Sequence, residues 1–165
     1  VIYGMSEYGL EQATDLSRQE AAQFIQAYFE RYHGVREYLD RTLEEARQSG
    51  YVETPLGRRR HIPELTSTNR QSRLAAERMA INMPVQGTSA DIIKVAMIEL
   101  QRRMDEAGLA SKMTLQVHDE LLFEVPAAEM EEMKRLVEDV MPHALALSVP
   151  LKIELKEGRN WGEME

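Results

Sequence analysis

The sequence predicts an α+β fold: a small antiparallel sheet backed by long helices. Three observations carry the prediction. Apolar residues recur at helical spacing over several long stretches. Two pairs of short β-prone runs are each joined by a few turn-forming residues, as in hairpins. The order is helices, hairpin, long broken helix, hairpin, helix, strand, with no internal repeat, low-complexity tract or linker, and this segregation favours an α+β layer. With 165 residues and 43% hydrophobic content, the chain can bury one real core.

Ser17-Arg18-Gln19-Glu20 is a capping box, and Ala21, Phe24, Ile25, Tyr28, Phe29 and Tyr32 follow on one helical face as expected core residues. Gly34 is expected to end this helix. A second helix is predicted from about Val35 to Ser49, with Tyr38, Leu39, Leu43 and Ala46 inward and Gly50 as its stop. Tyr51–Thr54 and Arg59–Ile62 flank Pro55-Leu56-Gly57 as a hairpin that Pro63 ends. A polar loop, Thr66 to Asn69, leads to helix from about Gln71. Pro84 and Gly87 are expected to interrupt it. Helix then resumes from about Ser89 to Ala107, with Ile92, Ile93, Ala96, Met97, Leu100 and Met104 inward, and Gly108 stops it. Met113–Val117 and Leu121–Val125 form the second hairpin. A helix from about Ala127 carries Met130, Met133, Leu136, Val137 and Val140 on one face, and Pro142 kinks or divides it. Leu151-Lys152-Ile153-Glu154-Leu155 alternates strictly and reads as a strand.

No apolar run approaches the roughly 20 residues that span a bilayer, and no N-terminal signal pattern appears, so no membrane partner is expected. Cysteine is absent, which excludes disulfides and thiolate metal sites and fits a cytoplasmic protein. The net charge of −8 argues against general polyanion binding, but the charge is uneven. Between Arg58 and Arg78 six arginines face Glu64 and Glu77, a net +4, while the rest of the chain carries −12. A basic strip on an acidic body can bind a polyanion locally; a solvated face has the same composition. Val1-Ile2-Tyr3-Gly4-Met5-Ser6 starts without an initiator Met and in mid-pattern, so the chain is expected to be a piece of something longer.

Two constellations carry chemistry. At Gln116-Val117-His118-Asp119-Glu120 an imidazole and two adjacent carboxylates sit between strand-like runs. Taken alone this reads as a solvated turn, where Asp is common for local reasons. Equally, acids presented from a rigid hairpin can hold Mg²⁺, a hard ion that prefers oxygen ligands. One hairpin supplies too few carboxylates for two ions roughly 4 Å apart, so at least one more must come from elsewhere in the fold. No other acid stands out; Glu124, Glu129, Glu131 and Glu132 read as ordinary surface. The second constellation is Arg78, Asn82 and Gln86, spaced by four. On a continuous helix they share a face. The minor groove offers purine N3 and pyrimidine O2 acceptors at similar positions on every pair, so such donors could test pairing without reading sequence. A polar helix face explains the spacing as well, and Pro84 puts Gln86 in question. Walker-type glycine loops, a Ser-His-Asp set and zinc spacings are absent.

Together these segments resemble the C-terminal part of the family A DNA polymerases, over essentially the whole chain. Val1-Ile2-Tyr3-Gly4 resembles the end of the family's fingers helix. Gly50–Thr54 with Gly57–Arg60 resembles its arginine hairpin, Ala76–Asp91 its minor-groove helix, and Gln116–Glu120 its palm motif C. The resemblance implies that residues 1–165 are the C-terminal part of a polymerase domain, with 1–50 fingers-edge helices and 51–165 palm. It implies that Asp119 is one of two catalytic aspartates and binds Mg²⁺, with two ions in the complete enzyme, and that Glu120 supports or ligates the metal. His118 would hydrogen-bond near the primer terminus. Arg78, Asn82 and Gln86 would contact the primer-template duplex, Tyr3 would stack by the templating position with Gly4 leaving it room, and Arg58, Arg59 and Arg60 would meet backbone phosphate. The implied partners are primer-template DNA, dNTP and an upstream polymerase segment that carries the other aspartate and the residues gripping the triphosphate. Without that segment the palm sheet is incomplete, and the chain alone is expected to be inactive. A duplex-binding fragment without chemistry is the alternative; a nuclease using Asp119 and Glu120 finds no further acid cluster to support it.

Overall fold

A computed structural model describes residues 1–164. The chain divides into two compact units, residues 1–88 and residues 89 onward. The class is the expected one, mixed helix and small antiparallel sheets. Each hairpin is its own two-stranded sheet among the described residues.

In the first unit, α1 (Glu7–Ala13) is a short helix whose N-cap Ser6 accepts from the Gly9 N–H at 3.2 Å. At seven residues it leaves little periodicity to read. α2 (Arg18–Arg31) starts at the expected capping box: the Ser17 hydroxyl accepts from the Glu20 N–H, and the Glu20 carboxylate accepts from the Ser17 N–H at 2.9 Å. The Ser17 hydroxyl, which also donates to the Glu20 carboxylate at 2.6 Å, and then the Ser17 N–H lower the Glu20 pKa. The helix does not end at Gly34. The chain turns at Tyr32 (φ −116°, ψ 56°), and Gly34 lies in the first turn of α3 (His33–Ser49). A glycine can stop a helix only where the backbone turns left-handed, as Gly50 does at φ +79°.

Nor are all the α2 aromatics core. Phe24 and Tyr32 are 51% and 52% exposed, and Ala21 alone of α2 is buried. Tyr28 instead packs on Phe29 and Tyr32 at ring separations of 5.3 and 5.1 Å, with the Arg36 guanidinium 5.4 Å from the Phe29 ring centre.

β1 (Tyr51–Glu53) and β2 (Arg59–His61) pair antiparallel as expected, with Val52 opposite Arg60. The core of this unit gathers Ala46, Val52, Ile62, Leu65, Ala76, Ala80 and Met83. The last three come from α4 (Arg70–Ala107), 38 residues long and capped by Asn69, whose side chain accepts from the Gln71 and Ser72 N–H groups.

The expected break at Pro84 and Gly87 does not occur. Proline removes one helical donor and costs about 3 kcal/mol in a helix interior. Burial of Ala80, Ile81 and Met83 just before it offsets that, and the Thr88 hydroxyl donates back to the Pro84 carbonyl. Gly87 is there for packing: a Cβ on it would lie 2.7 Å from Thr54 Cγ2 at the end of β1. Thr54 is 3% exposed, and its hydroxyl accepts from the Arg58 N–H, so it cannot easily yield.

In the second unit, β3 (Lys112–Val117) and β4 (Glu120–Glu124) pair antiparallel, with an irregularity between Met113 and Leu115. α5 (Met130–Val140) follows a 3₁₀ turn, and a second 3₁₀ turn containing Pro142 divides it from what comes next. Leu100, Met104, Met133, Val137 and Val140 form the core, with Met113, Leu121, Phe123 and Ile153 packed against it. Leu151–Leu155 forms no ladder. Its alternation half-buries Leu151 and Ile153, but a strand also needs an edge to bond to, and no described strand pairs with it. Glu129 is not ordinary surface. Its carboxylate accepts from the Ala110 N–H, the Ser111 N–H and the Ser111 hydroxyl at 2.9, 2.9 and 2.6 Å, clamping the approach to β3. The Ser111 hydroxyl, then the Ala110 N–H, hold its pKa below the ordinary carboxylate value.

Two stability measurements follow. Gly87→Ala gains helix propensity of about 1 kcal/mol, yet it should lower the unfolding free energy measured in urea by a net of about 1–2 kcal/mol through overpacking against Thr54. Adding Thr54→Ser, which removes only the offending methyl, should recover most of the loss; no recovery would place the cost elsewhere. Because the Glu129 pKa is depressed by folding, its contribution is present above the unfolded value of 4.5 and is lost as pH falls below it. Glu129→Gln should therefore lower the melting temperature at pH 7, with the gap narrowing below about pH 4.5.

Candidate functional site

Val117 pairs with Glu120, so only His118 and Asp119 lie in the turn between β3 and β4. Two-residue hairpin loops demand positive φ at the first central residue, a position that suits glycine. Here it is His118, at φ +53°, the sole non-glycine residue with positive φ among those described. Left-handed geometry costs a residue with a Cβ about 1–2 kcal/mol. The Gln116 side-chain amide donates to the His118 carbonyl at 2.6 Å across the turn. Asp119 occupies the apex and Glu120 is the first residue of β4. Both are exposed, and neither carboxylate meets a described hydrogen-bond or ion-pair partner. These are hard oxygen donors of the type Mg²⁺ takes, held on a rigid sheet and free of competing cations. They do not close a coordination shell: no three His, Cys, Asp or Glu side chains group together among the described residues.

The polar face of α4 lies in the first unit. Because α4 runs unbroken through Pro84, Arg78, Asn82 and Gln86 keep their spacing of four and share one face, which resolves the position of Gln86. Arg78 and Gln86 are exposed, and Arg78 Nε donates to the Leu74 carbonyl at 3.3 Å. Asn82 is half-buried, and its Oδ1 is buried with no hydrogen-bond partner, a state that costs about 1–3 kcal/mol unless a donor reaches it.

Tyr3 is 45% exposed and borders an apolar cavity of about 260 Å³ with Tyr38, Leu39, Ile81 and Val85. Gly4, at φ +78°, closes a turn onto the Val1 carbonyl, and a Cβ on it would come within 3.1 Å of Arg78 Cγ. The Gly4 turn thus lies directly against the Arg78 stem. On the β1–β2 hairpin, Arg59 pairs with Glu53, which raises its pKa, and its guanidinium sits 4.6 Å over the Tyr51 ring. Arg58 donates its backbone N–H to Thr54 at 3.2 Å, and Arg60 is exposed. Gln116 and Gly87 shape these sites without having been singled out for it. Neither a side-chain bond to a carbonyl two residues on nor a contact between Gly87 and Thr54 leaves a pattern in sequence.

The family model for DNA polymerase family A matches residues 1–163. The DNA polymerase I of Mycobacterium tuberculosis is 54% identical over 159 residues, covering 96% of this chain and 18% of that protein. The DNA polymerase I of Bacillus caldotenax is 51% identical over 161 residues, 98% of this chain and 18% of that protein. Among solved structures, the POL domain of Pol1 from M. smegmatis, in complex with DNA primer-template and dNTP, matches with a TM-score of 0.96 at 50% identity. It covers 99% of this chain and 29% of that one. The chain thus spans less than a fifth of the length of these curated relatives.

The turn geometry is testable by itself. His118→Gly should raise the melting temperature, by up to about 1 kcal/mol of stability, as relief of left-handed strain exceeds the glycine entropy cost. A lower melting temperature would mean that His118 is not strained.

Proposed function

Because the chain belongs to DNA polymerase family A, we propose that it is the C-terminal part of a polymerase domain, with residues 1–50 at the fingers edge and residues 51–165 in the palm. The whole enzyme adds deoxynucleotides to a primer 3′ end on a DNA template. The primer 3′ oxygen attacks the α-phosphate in line and pyrophosphate leaves. Catalysis of this kind rests on positioning and charge stabilisation rather than on a covalent intermediate. On this reading the protein works in the cytoplasm, beside the DNA and the nucleotide pool.

The observation that carries the proposal is Asp119, whose carboxylate lies at the apex of a tight hairpin and meets no described partner. Asp119 would hold Mg²⁺ with Glu120 beside it, and the remaining ligands come from the nucleotide, water and an aspartate on the upstream segment. Bound there, two Mg²⁺ would favour ionisation of the primer hydroxyl and neutralise charge on the departing pyrophosphate. His118, next to Asp119, donates a hydrogen bond near the primer terminus. Arg78, Asn82 and Gln86 turn one face of α4 to the minor groove, where amide and guanidinium donors meet the acceptors common to every correct pair. Tyr3 stacks by the templating base, with Gly4 giving it room. Arg58, Arg59 and Arg60 lie along backbone phosphate, where charge supplies affinity without sequence preference.

The lack of a third grouped acid among the described residues favours a second reading, a fragment that holds duplex DNA without chemistry. Primer extension separates the two. The chain alone should not extend a primer; supplying the upstream part of the polymerase domain should restore Mg²⁺-dependent extension. In that completed protein, Asp119→Asn should reduce turnover by about a thousandfold or more, the loss of several kcal/mol of transition-state stabilisation. Primer-template affinity should stay within about threefold, a change of less than 1 kcal/mol. Unaltered extension by the variant would remove Asp119 from the chemistry.

A further inference from the structure

The turn that presents Asp119 has two possible forms. In hairpin loops of two residues, the type I′ and type II′ turns share a positive φ at the first central residue. They differ in the ψ of that residue and the φ of the next, the two torsions on either side of the central peptide. Going from one form to the other therefore rotates that peptide and re-aims the side chain that follows it. Here the central peptide joins His118 to Asp119. Positive φ at His118 and not at Asp119 is the type II′ pattern. Histidine is a poor choice for it, since this position favours glycine.

Something must therefore hold the peptide, and one side chain reaches it. Gln116 Nε2 donates to the His118 carbonyl oxygen at 2.6 Å, and that oxygen belongs to the peptide in question. Gln116 sits on β3 in register with Leu121, so its backbone is fixed by the ladder while its amide spans the turn. The carboxylates of Asp119 and Glu120 do not do this, since neither meets a described hydrogen-bond or ion-pair partner.

We propose that Gln116 is a positioning residue: its amide locks the His118–Asp119 peptide in one orientation and thereby fixes where Asp119 presents its carboxylate. This rests on the reading of Asp119 as a metal-binding acid. The chemistry requires a donor at this length. Gln116→Ala removes it, and Gln116→Glu keeps the length but sets a carboxylate against the carbonyl.

The test uses the complete polymerase with three readouts: Mn²⁺ affinity by titration, single-turnover rate against primer-template affinity, and thermal stability in a double-mutant cycle with His118→Gly. Both Gln116 variants should weaken Mn²⁺ binding several-fold. They should also slow turnover by roughly ten- to a hundredfold, the scale of a catalytic group displaced by about 1 Å, with primer-template affinity unchanged. The loss of melting temperature caused by Gln116→Ala should be smaller in the His118→Gly background, where glycine holds the turn unaided. Three results overturn the proposal: unchanged Mn²⁺ affinity and rate, a loss confined to primer-template affinity, which would make Gln116 a duplex contact, or additive effects in the cycle. Asp119→Asn serves as the control for the underlying reading. If it retains full turnover, that reading fails; if it is inactive while both Gln116 variants are normal, only the positioning role fails.

Discussion

An unbroken helix through Pro84 is the constraint on which the rest of this structure depends. α4 supplies Ala76, Ala80 and Met83 to one core and Leu100 and Met104 to the other. Those buried residues offset the donor that Pro84 lacks. Were the helix to break there, the spacing of four that joins Arg78, Asn82 and Gln86 would lose its meaning. Gly87 completes the arrangement. Its missing side chain lets Thr54 approach the helix backbone, so the β1–β2 hairpin packs against the same helix that carries the polar face. A residue that looks like a helix breaker is thus a packing surface.

The β3–β4 tip follows a different logic. Most of the second unit is arranged by apolar burial, but the turn is arranged by backbone torsions and single hydrogen bonds. Glu129 clamps Ala110 and Ser111 at one end of β3, and Gln116 reaches across to the His118 carbonyl at the other. Between them the hairpin is short, paired and held at both ends. A carboxylate at such an apex is exposed without being loosely placed, which is what a site that must meet a cation in fixed geometry requires. The left-handed His118 fits the same pattern, since backbone strain persists only where surrounding structure over-determines it.

The arginine-rich strip shows how little a charge count says about availability. Arg59 is paired with Glu53 and stacked on Tyr51, while Arg73 and Arg78 donate to the carbonyls of Ser67 and Leu74. An Arg side chain has five N–H donors, so one bond to the chain orients the fork and leaves others to spare. Such pre-orientation lowers the entropy lost when a phosphate or a base edge is met.

The capping box at Ser17, the glycine stop at Gly50, both hairpins and the inward faces of the long helices were all legible in sequence, because each depends on residues within a few positions of one another. The chemical types at the candidate site were legible for the same reason: two acids and an imidazole in a turn, three donors spaced by four. Tertiary structure alone decided that Pro84 would stay helical, that Gly87 would meet Thr54, that Glu129 would cap β3 and that Leu151–Leu155 would pair with no strand among the described residues. It also decided which α2 aromatics are left exposed. Each of these is settled by a partner distant along the chain, or by the lack of one. Local sequence encodes what a segment prefers, whereas a proline's cost, a glycine's use or a strand's pairing is set by the free energy of what lies against it.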